Sequence, residues 1–188
     1  MSDAAVGRVP TPRALVLFAE GSEELEAITI VNILRRGGVQ TTLAGLTDGA
    51  LRGSRGIVIV PDIPLDAVLD QDFDLVVLPG GQPGTRNLKA DTRVLPLLQR
   101  FAAQGKFVAA ICAAPSVLAE AGLLNGKQAT CYPTCLDDYP SVKLQTSALV
   151  EDGKLITSRG PGTAMDFALV LVERLTNERQ RVEASLVR

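Results

Sequence analysis

The sequence predicts an α/β protein with a mostly parallel, doubly wound sheet. Short apolar runs alternate with helical patterns along the chain, and several runs are continuously apolar, as expected for parallel strands that helices cover on both faces. The composition agrees, because 46% hydrophobic and 21% charged residues among 188 are typical of a globular protein. A chain of this length can bury roughly two-thirds of its unfolded surface, so its core needs no covalent support.

The elements can be assigned in order from these runs and from helix end signals. Strands are expected at 14–19, 39–44, 57–60, 75–78 and 107–112, a hairpin of 148–150 and 155–157 around residues 151–153, and helices at about 22–36, 91–104 and 163–176. The first helix begins at Ser22, a favourable N-cap, and ends with Arg35 and Arg36 before two glycines, so its charges complement the helix dipole. Ligands of such sheets bind at the carboxyl ends of the strands.

We expect one domain at 13–188 after a loose N-terminal arm at 1–12. The first dozen residues contain no apolar segment typical of a signal peptide, and the longest apolar stretch, 107–118, is too short to span a bilayer. Three cysteines are too few, and odd in number, for a disulfide framework. These features favour a cytoplasmic protein with no membrane partner. At the other end, a solvated tail is expected to contain Arg179, Arg181 and Arg188.

Two features of the composition exclude whole classes of function. The formal charge is −2 and no basic cluster is present, which argues against nucleic acid as a stable partner. The sequence contains no histidine, so a Ser-His-Asp triad, a Cys-His pair and a histidine-ligated metal are impossible within this chain.

Cys112 is the first candidate for a reactive side chain. It stands at the end of a predicted strand and is followed by Ala113, Ala114 and Pro115. Small residues at a strand-to-helix turn are what a nucleophile elbow requires, and proline suits the first turn of the next helix. The helix N-terminus is expected to lower the pKa of the thiol. The alternative interpretation is a small buried hydrophobic residue.

Glu26 is the second candidate. It lies on one helical face with Ile30 and Ile33, so the carboxyl should point inward, where loss of hydration raises its pKa and favours the protonated acid. Its neighbours Glu23 and Glu24 are interpreted as surface charges that match the helix dipole, and the same explanation remains open for Glu26.

Paired glycines follow the buried strand at 75–78. Gly80 and Gly81 could bring backbone N–H groups close to an anionic ligand. A Pro-Gly-Gly sequence is also a common turn, so this signal alone is weak.

Cys131 and Cys135 are interpreted as packing or loop thiols. Four residues of extended chain would separate them too far for a disulfide, although a resolving cysteine is the alternative. Cys112 is expected to be alkylated and oxidised before either of them, because only Cys112 combines a helix N-terminus, small neighbours and a glycine pocket.

Together these segments resemble the ThiJ/PfpI superfamily, and within it the branch that contains the parkinsonism-associated protein deglycase and its bacterial relatives. The resemblance runs from about Arg13 to Asn177. The matching motifs, in the family's order, are ALVLFAEGSEELE at 14–26, VLPGG at 77–81, AAICAAP at 109–115 and TSRGPGT at 157–163.

The resemblance implies a flavodoxin-like three-layer sandwich, a homodimer, and no metal or organic cofactor. It also implies a reactive Cys112 that is hydrogen-bonded to a protonated Glu26. The further positions that match residues of the family's amide pocket, site lining or dimer interface are Gly80, Gly81, Arg55, Arg159 and Pro161.

The chain departs from the family's pattern at two positions of the expected pocket. Protease-like and amidase-like members have a histidine directly after the cysteine, whereas this chain has Ala113, so a peptidase would lack its general base. Members of the deglycase branch often have a histidine where this chain has Tyr132, which is a poor base at neutral pH. Glu26 is then the only obvious proton carrier. The chain also ends earlier than relatives with an additional helix over the site, so a more open pocket is expected.

Two functions are compatible with these residues. In the first, Cys112 adds to a small aldehyde such as methylglyoxal, or to its early adduct on protein or nucleotide, and Glu26 moves a proton so that a hydroxy acid is released. In the second, the protein is an oxidative-stress sensor or redox-regulated chaperone in which the same cysteine becomes a sulfinate.

The first helix also favours self-association. Ile28 and Val31 lie opposite Ile30 and Ile33, and a helix that is apolar on two sides is usually buried on two sides. One side can pack on the sheet, so the other is expected to meet a symmetry mate in a homodimer.

Overall fold

The computed structural model describes residues 10–187 as a seven-stranded sheet between two layers of helices. The strands are β1 (Arg13–Phe18), β2 (Gln40–Gly45), β3 (Leu51–Arg52), β4 (Val58–Ile59), β5 (Ile63–Pro64), β6 (Leu75–Leu78), β7 (Phe107–Ile111), β8 (Gln128–Ala129), β9 (Lys143–Leu144), β10 (Leu149–Asp152) and β11 (Leu155–Ser158). The helices are α1 (Glu24–Arg36), α2 (Gly84–Ala90), α3 (Val94–Ala103), α4 (Pro115–Glu120), α5 (Ala164–Thr176) and α6 (Arg179–Ser185). The order in the sheet is β10-β11-β7-β6-β1-β2-β5, and every pairing is parallel except that of β10 with β11. The predicted mostly parallel α/β sandwich is confirmed.

Two hydrophobic layers hold the sheet. On one face, Phe18 packs with α1 and with Phe167 of α5. On the other, Leu17 packs with α2, α4 and Phe101 of α3. Each fully buried side chain of this size contributes about 1.5–3 kcal/mol. The alternation of β1 between the two layers explains why its sequence is continuously apolar.

The topology brings three chain segments to one edge of the sheet. β1, β6 and β7 are adjacent and parallel, so the residues that follow them meet at the carboxyl edge. Those residues are the turn into α1, the loop at 79–81, and Cys112 at the start of the turn into α4. The carboxyl ends of these three strands therefore converge, at the edge where ligands of such sheets bind.

The first helix begins later than expected. Its N-cap is Glu23 rather than Ser22, and the Ser22 hydroxyl accepts a hydrogen bond from the N–H of Ala19 at 3.1 Å. The serine thus closes the turn after β1 and is not free to cap the helix. The predicted end is confirmed, since Arg35 and Arg36 occupy the last turn and Gly37 is the C-cap.

Short elements differ most from the expectation. The predicted strand at 57–60 is only β4, which pairs with β3 in a separate hairpin outside the main sheet. The helix expected from residue 91 begins at Val94, because Asp91 instead accepts hydrogen bonds from Arg93. α2 was not predicted, since its Gln82-Pro83-Gly84 start is typical of a turn. The hairpin of β10 and β11 around Gly153 is confirmed.

The chain ends also differ from the expectation. The predicted solvated tail contains α6, which packs on α5 with Val182 fully buried, and Arg181 donates a hydrogen bond to the carbonyl of Arg36 at 3.1 Å. Arg188 and most of the expected N-terminal arm, residues 1–9, lie outside the described residues. Of the rest of that arm, Pro12 accepts a hydrogen bond from the N–H of Gln40 at 2.9 Å. Within residues 10–187, no helix has the length and apolar character needed to cross a membrane.

Candidate active site

Cys112 occupies a nucleophile elbow. Its φ of 64° is in the left-handed region, which costs a non-glycine residue about 1–3 kcal/mol and must be held by its surroundings. Two hydrogen bonds do so: its N–H donates to the carbonyl of Ser158 at 3.0 Å, and its carbonyl accepts from the N–H of Tyr132 at 2.8 Å. Across the turn, a Cβ on Gly80 would lie 2.7 Å from the Cβ of Cys112, so the close approach requires glycine.

Glu26 lies in the first turn of α1 and is fully buried, as predicted. Its Oε2 accepts a hydrogen bond from the N–H of Gly80 at 2.7 Å, and the carbonyl of Gly80 accepts one from the N–H of Glu23 at 2.8 Å. Gly80 thus links the loop after β6 to the start of α1 through both its N–H and its carbonyl. Oε1 has no hydrogen-bond partner of normal geometry among the described residues, and the carboxyl adjoins the Cys112 thiol.

The two groups have strongly shifted ionisation. Burial raises the pKa of Glu26 to about 7, against the opposing hydrogen bonds from Gly80 and Cys112. Burial, followed by the charge of the Glu26 carboxylate, raises the pKa of Cys112 to about 12. The expectation of a lowered thiol pKa is therefore wrong, because burial and a neighbouring carboxylate outweigh the N–H groups at the start of the helix.

One negative charge is shared by this pair at neutral pH. Like charges at such short range cannot both form, so the pair loses one proton near pH 7 and the second far above it. The N–H groups of Gly81 and Ala113 donate to the sulfur and lower its pKa. A thiolate on Cys112 is consequently supported whenever the remaining proton resides on Glu26.

The amide pocket differs from the expected one by one residue. Gly80 was expected to donate beside the thiol, but its N–H is already bound to Glu26. The donors at the sulfur are Gly81 and Ala113. Gly80 instead serves as the glycine whose missing side chain admits Cys112.

An open cleft of about 460 Å³ leads to the thiol. The expected site residues that line it are Cys112, Gly81, Ala113, Tyr132, Arg55 and Pro161, and Glu23, Ser54, Gln82, Pro133, Thr134 and Cys135 complete the lining. Tyr132 is half exposed on the wall. Gly80 and Glu26 do not line the cleft, so a ligand in it would contact Cys112 and the neighbouring amides first.

Arg159 is not among the residues that line the cleft. Its guanidinium donates to the carbonyl of Thr146 at 3.2 Å, and its N–H donates to the carbonyl of Ala148 at 3.1 Å. These contacts attach it to the chain that precedes β10.

Glu24 is not the surface charge that the sequence suggested. Only 3% of it is exposed, and its carboxylate accepts hydrogen bonds from the N–H groups of Arg55 at 2.9 Å and Ile57 at 3.2 Å and from the hydroxyl of Ser54 at 3.3 Å. Burial raises the pKa of Glu24, but these hydrogen bonds and that of its own N–H outweigh burial and lower it overall.

Glu23 is likewise mostly buried and forms part of the cleft. It accepts a hydrogen bond from the Ser54 hydroxyl at 2.6 Å and lies 3.7 Å from the guanidinium of Arg55. The Arg55 side chain is largely exposed, so this ion pair stabilises the fold little. Ser54 was missed by the sequence analysis. Its only signal was a small polar residue within the glycine-flanked turn Gly53-Ser54-Arg55-Gly56.

The described residues offer no evident metal centre: in the range 10–187, no three Cys, Asp or Glu side chains are grouped so that they could hold a metal ion.

Comparisons with known proteins agree with this geometry. The model of the DJ-1/PfpI family matches residues 12–174. The chain is 44% identical over 177 residues to "Protein dj-1beta" of Drosophila melanogaster, covering 92% of this chain and 94% of that protein. It is 37% identical over 165 residues to the "Glutathione-independent glyoxalase DJR-1.2" of Caenorhabditis elegans, covering 86% and 88%.

Solved structures give the same answer. The crystal structure of Drosophila melanogaster DJ-1beta superposes with a TM-score of 0.92 at 42% identity, covering 95% of this chain and 98% of that one. A family match over most of the chain, a curated relative that is similar from end to end, and a shared fold lead to one conclusion. The chain belongs to the DJ-1/PfpI family.

Proposed function

We propose that the protein is a cysteine-dependent enzyme that protects the cell against reactive carbonyls. The activity is of the glyoxalase III or protein deglycase type, in which a small aldehyde such as methylglyoxal, or its early adduct on a protein, is converted so that lactate or glycolate leaves. The main support is the Glu26–Cys112 pair beneath an open cleft, because Glu26 titrates near pH 7 and can both take and give a proton. A relative named as a glutathione-independent glyoxalase supports the same class of reaction.

The reaction begins with addition of the Cys112 thiolate to the aldehyde carbon. The carbonyl oxygen becomes an alkoxide and takes up the proton that Glu26 holds, which gives a hemithioacetal and leaves Glu26 as a carboxylate. N–H groups of Gly81 and Ala113 are positioned to stabilise charge at this point. The aldehyde carbon, now bonded to sulfur, still holds the hydrogen that must move.

Glu26 then transfers that hydrogen as a proton. The carboxylate takes it from the sulfur-bearing carbon, which gives an enediol, and returns it to the neighbouring former keto carbon. The hydroxyl proton of the first carbon passes to the former keto oxygen, so that the first carbon becomes a thioester and the second an alcohol. Water attacks the thioester, the carbon–sulfur bond breaks, and lactate leaves with the thiol regenerated. Methylglyoxal and one water thus give one lactate, with no external oxidant or reductant.

Lactate production from methylglyoxal by the purified protein tests this proposal. Wild type should produce it continuously, while Cys112→Ser should reduce the rate to that of buffer. Cys135→Ser is the matched control, since Cys135 also lines the cleft but takes no part in the steps above. Equal rates for wild type and Cys112→Ser would overturn the proposed enzyme.

A redox sensor or redox-regulated chaperone is the second candidate, and one feature favours it. The protonated carboxyl of Glu26 and the amides of Gly81 and Ala113 surround the Cys112 sulfur with donors, which suit the oxygens of a sulfinate. Under this proposal, two molecules of hydrogen peroxide would each transfer one oxygen atom to Cys112 and leave as water, and only the oxidised protein would suppress aggregation of a client. If the protein converts methylglyoxal but its oxidised form does not suppress aggregation, the chaperone proposal is contradicted and only the enzyme remains.

We also propose a homodimer in the cytoplasm. Leu25 and Ile28 on the outer side of α1, and Ile57, Val58 and Val60 around β4, are large exposed apolar residues. Exposed apolar surface of this kind is typical of an interface, and a two-fold axis would let the same patch cover itself. Val31, which was expected on this side, is buried within the chain. A reducing compartment suits three free cysteines.

A further inference from the structure

Two of the three thiols have no part in the proposed chemistry, yet they lie beside the cleft. Cys131 follows β8 and is 2% exposed. Cys135 is half-buried and lines the cleft together with Cys112. Tyr132, whose N–H is bound to the carbonyl of Cys112, stands between them in the chain.

The chain between these thiols is a turn and not an extended segment. The N–H of Cys135 donates to the carbonyl of Tyr132 at 3.1 Å, and Thr134 has a φ of 71°. A second turn follows at once, with the N–H of Asp137 donating to the carbonyl of Thr134 at 3.2 Å. The expectation that the two cysteines are too far apart for a bridge rested on extended geometry and is therefore unsupported.

This turn brings the sulfur of Cys131 close to the backbone of Cys135. The N–H groups of Cys135 and Leu136 both hydrogen-bond this sulfur. Since the Cβ of Cys135 is only two bonds from its own nitrogen, the two side chains start close together, as a disulfide requires. Burial raises the pKa of Cys131 to about 11, and these two N–H donors oppose that rise.

We propose that Cys131 and Cys135 are a second redox-modification site, an intrachain dithiol that a peroxide converts to a disulfide. The first step is attack of the Cys135 sulfur on the peroxide: an oxygen–oxygen bond breaks, Cys135 becomes a sulfenic acid, and the other oxygen leaves as water or an alcohol. In the second step the Cys131 sulfur attacks the sulfenic sulfur, a disulfide forms, and water leaves. Two thiols are oxidised and one peroxide is reduced.

Burial fixes the order of these steps. Cys135 faces the cleft and can meet the oxidant, whereas Cys131 is shielded from solvent. Cys131 therefore acts as the resolving thiol, and its burial prevents it from pairing with a cysteine of another molecule. The site does not depend on the proposed carbonyl reaction.

Peptide mapping of the protein treated with limiting hydrogen peroxide tests the proposal. Trypsin cuts after Lys127 and Lys143, so one peptide of residues 128–143 contains both cysteines. In Cys112→Ser, which removes the competing thiol, we expect this peptide to change from almost wholly thiol to mostly a form that is lighter by two hydrogen atoms. Wild type, mapped in parallel with more peroxide, should yield the same form once Cys112 has been oxidised, which guards against misfolding of the variant.

Two further variants separate the roles of the thiols. Cys131→Ser should accumulate a sulfenic acid at Cys135 that dimedone traps, while Cys135→Ser should leave Cys131 unmodified. The proposal is overturned if the peptide stays reduced, if Cys135 proceeds directly to a sulfinate, or if the only disulfides formed join separate chains.

Discussion

Among single residues, Glu26 has the largest influence on the chemistry of the cleft. It holds no structural ion pair in the described fold, accepts one amide hydrogen bond and is fully buried beside a thiol. Its pKa near 7 means that a small change of pH alters the charge beneath the cleft. Reactivity of Cys112 is therefore expected to follow the protonation of a different residue.

The first prediction concerns the pH dependence of Cys112 alkylation by iodoacetamide. Below about pH 6 the pair holds both protons, and Cys112 is a neutral thiol; above about pH 7 the pair has lost one, and part of the remaining charge resides on sulfur. The rate should rise with a midpoint near 7. In Glu26→Gln the step near 7 should be replaced by titration of the thiol alone, whose pKa the Glu26 carboxylate no longer raises. In wild type at about pH 8, Cys112 should still react before Cys135, although Cys135 is more exposed.

Carbonyl turnover gives an independent measurement on the same variant. Glu26→Gln keeps an oxygen for the N–H of Gly80 but cannot transfer a proton, so lactate production should fall by about 10²–10⁴-fold. Alkylation at about pH 8 should change much less, because it needs the thiolate and no proton transfer by Glu26. Equal losses in both measurements would contradict a role for Glu26 as proton carrier.

The second prediction links Glu26 to stability. Its pKa is raised from 4.5 when unfolded to about 7 when folded, so folding takes up a proton and stability falls as pH rises through this interval. The loss should approach about 3 kcal/mol. Glu26→Gln should abolish it, so urea unfolding at about pH 5 and pH 8 should show a flatter profile than wild type. Glu24, with its lowered pKa, remains ionised across this window.

The chemistry of single residues was only partly predictable from sequence. Glu26 and Cys112 were identified because helix periodicity and small neighbours are local signals. The burial of Glu23 and Glu24 was not predicted, since it depends on a loop about thirty positions further along the chain. The predicted direction of the Cys112 pKa shift was wrong for the same reason. Burial of the thiol, which raises its pKa, results from tertiary packing and is not visible in the local sequence.

Among the elements, the loop at 53–57 depends on α1 most directly. The carboxylate of Glu24 satisfies the N–H groups of Arg55 and Ile57 and the hydroxyl of Ser54, and this loop forms one wall of the cleft. A short polar loop with few apolar contacts of its own is held by these hydrogen bonds. Glu24 therefore provides most of the side-chain acceptors for this loop, alongside Glu23 and the carbonyl of Ser22, which accepts from the N–H of Ser54.

The third prediction is that Glu24→Ala destabilises the protein by about 1–3 kcal/mol, because partly buried donors of the loop lose a charged acceptor. The isosteric Glu24→Gln keeps one acceptor oxygen and should lose less. Urea denaturation measures both, and proteolysis near Arg55 should accelerate in the alanine variant alone. If the two variants had wild-type midpoints, the loop would be held by something other than Glu24.

Long elements were more predictable than short ones. The buried strands β1, β6 and β7 were found because both layers of helices require continuous apolar sequence. α2 and the β3–β4 hairpin were missed or misassigned, since two to seven residues give no clear periodicity and their positions are set by tertiary contacts. The family resemblance supplied the flavodoxin-like order that periodicity alone could not.

At the scale of the whole molecule, the fourth prediction tests the proposed homodimer. Sedimentation at micromolar concentration should give twice the 19.8 kDa of one chain. Ile28→Glu, at a side chain that is 44% exposed in the single chain, should shift the equilibrium to monomer without loss of the fold. Leu144→Glu is the matched control, because it changes a similarly exposed side chain on β9 away from α1. A wild-type protein that sediments only as monomer would contradict the interface.

The hydrogen bond from Cys112 to Ser158 also has a consequence for protein synthesis. The strand that ends at Ser158 pairs with β7, so the elbow cannot be completed until residue 158, which lies in the last third of the chain, has left the ribosome. Until then Cys112 should react with alkylating reagents like the thiol of a disordered peptide, without the control by Glu26. Ribosome-bound chains of increasing length, labelled in short pulses, should therefore change their pH profile only once residue 158 has emerged. For a newly made molecule, the interval before that point is when its reactive thiol is least protected.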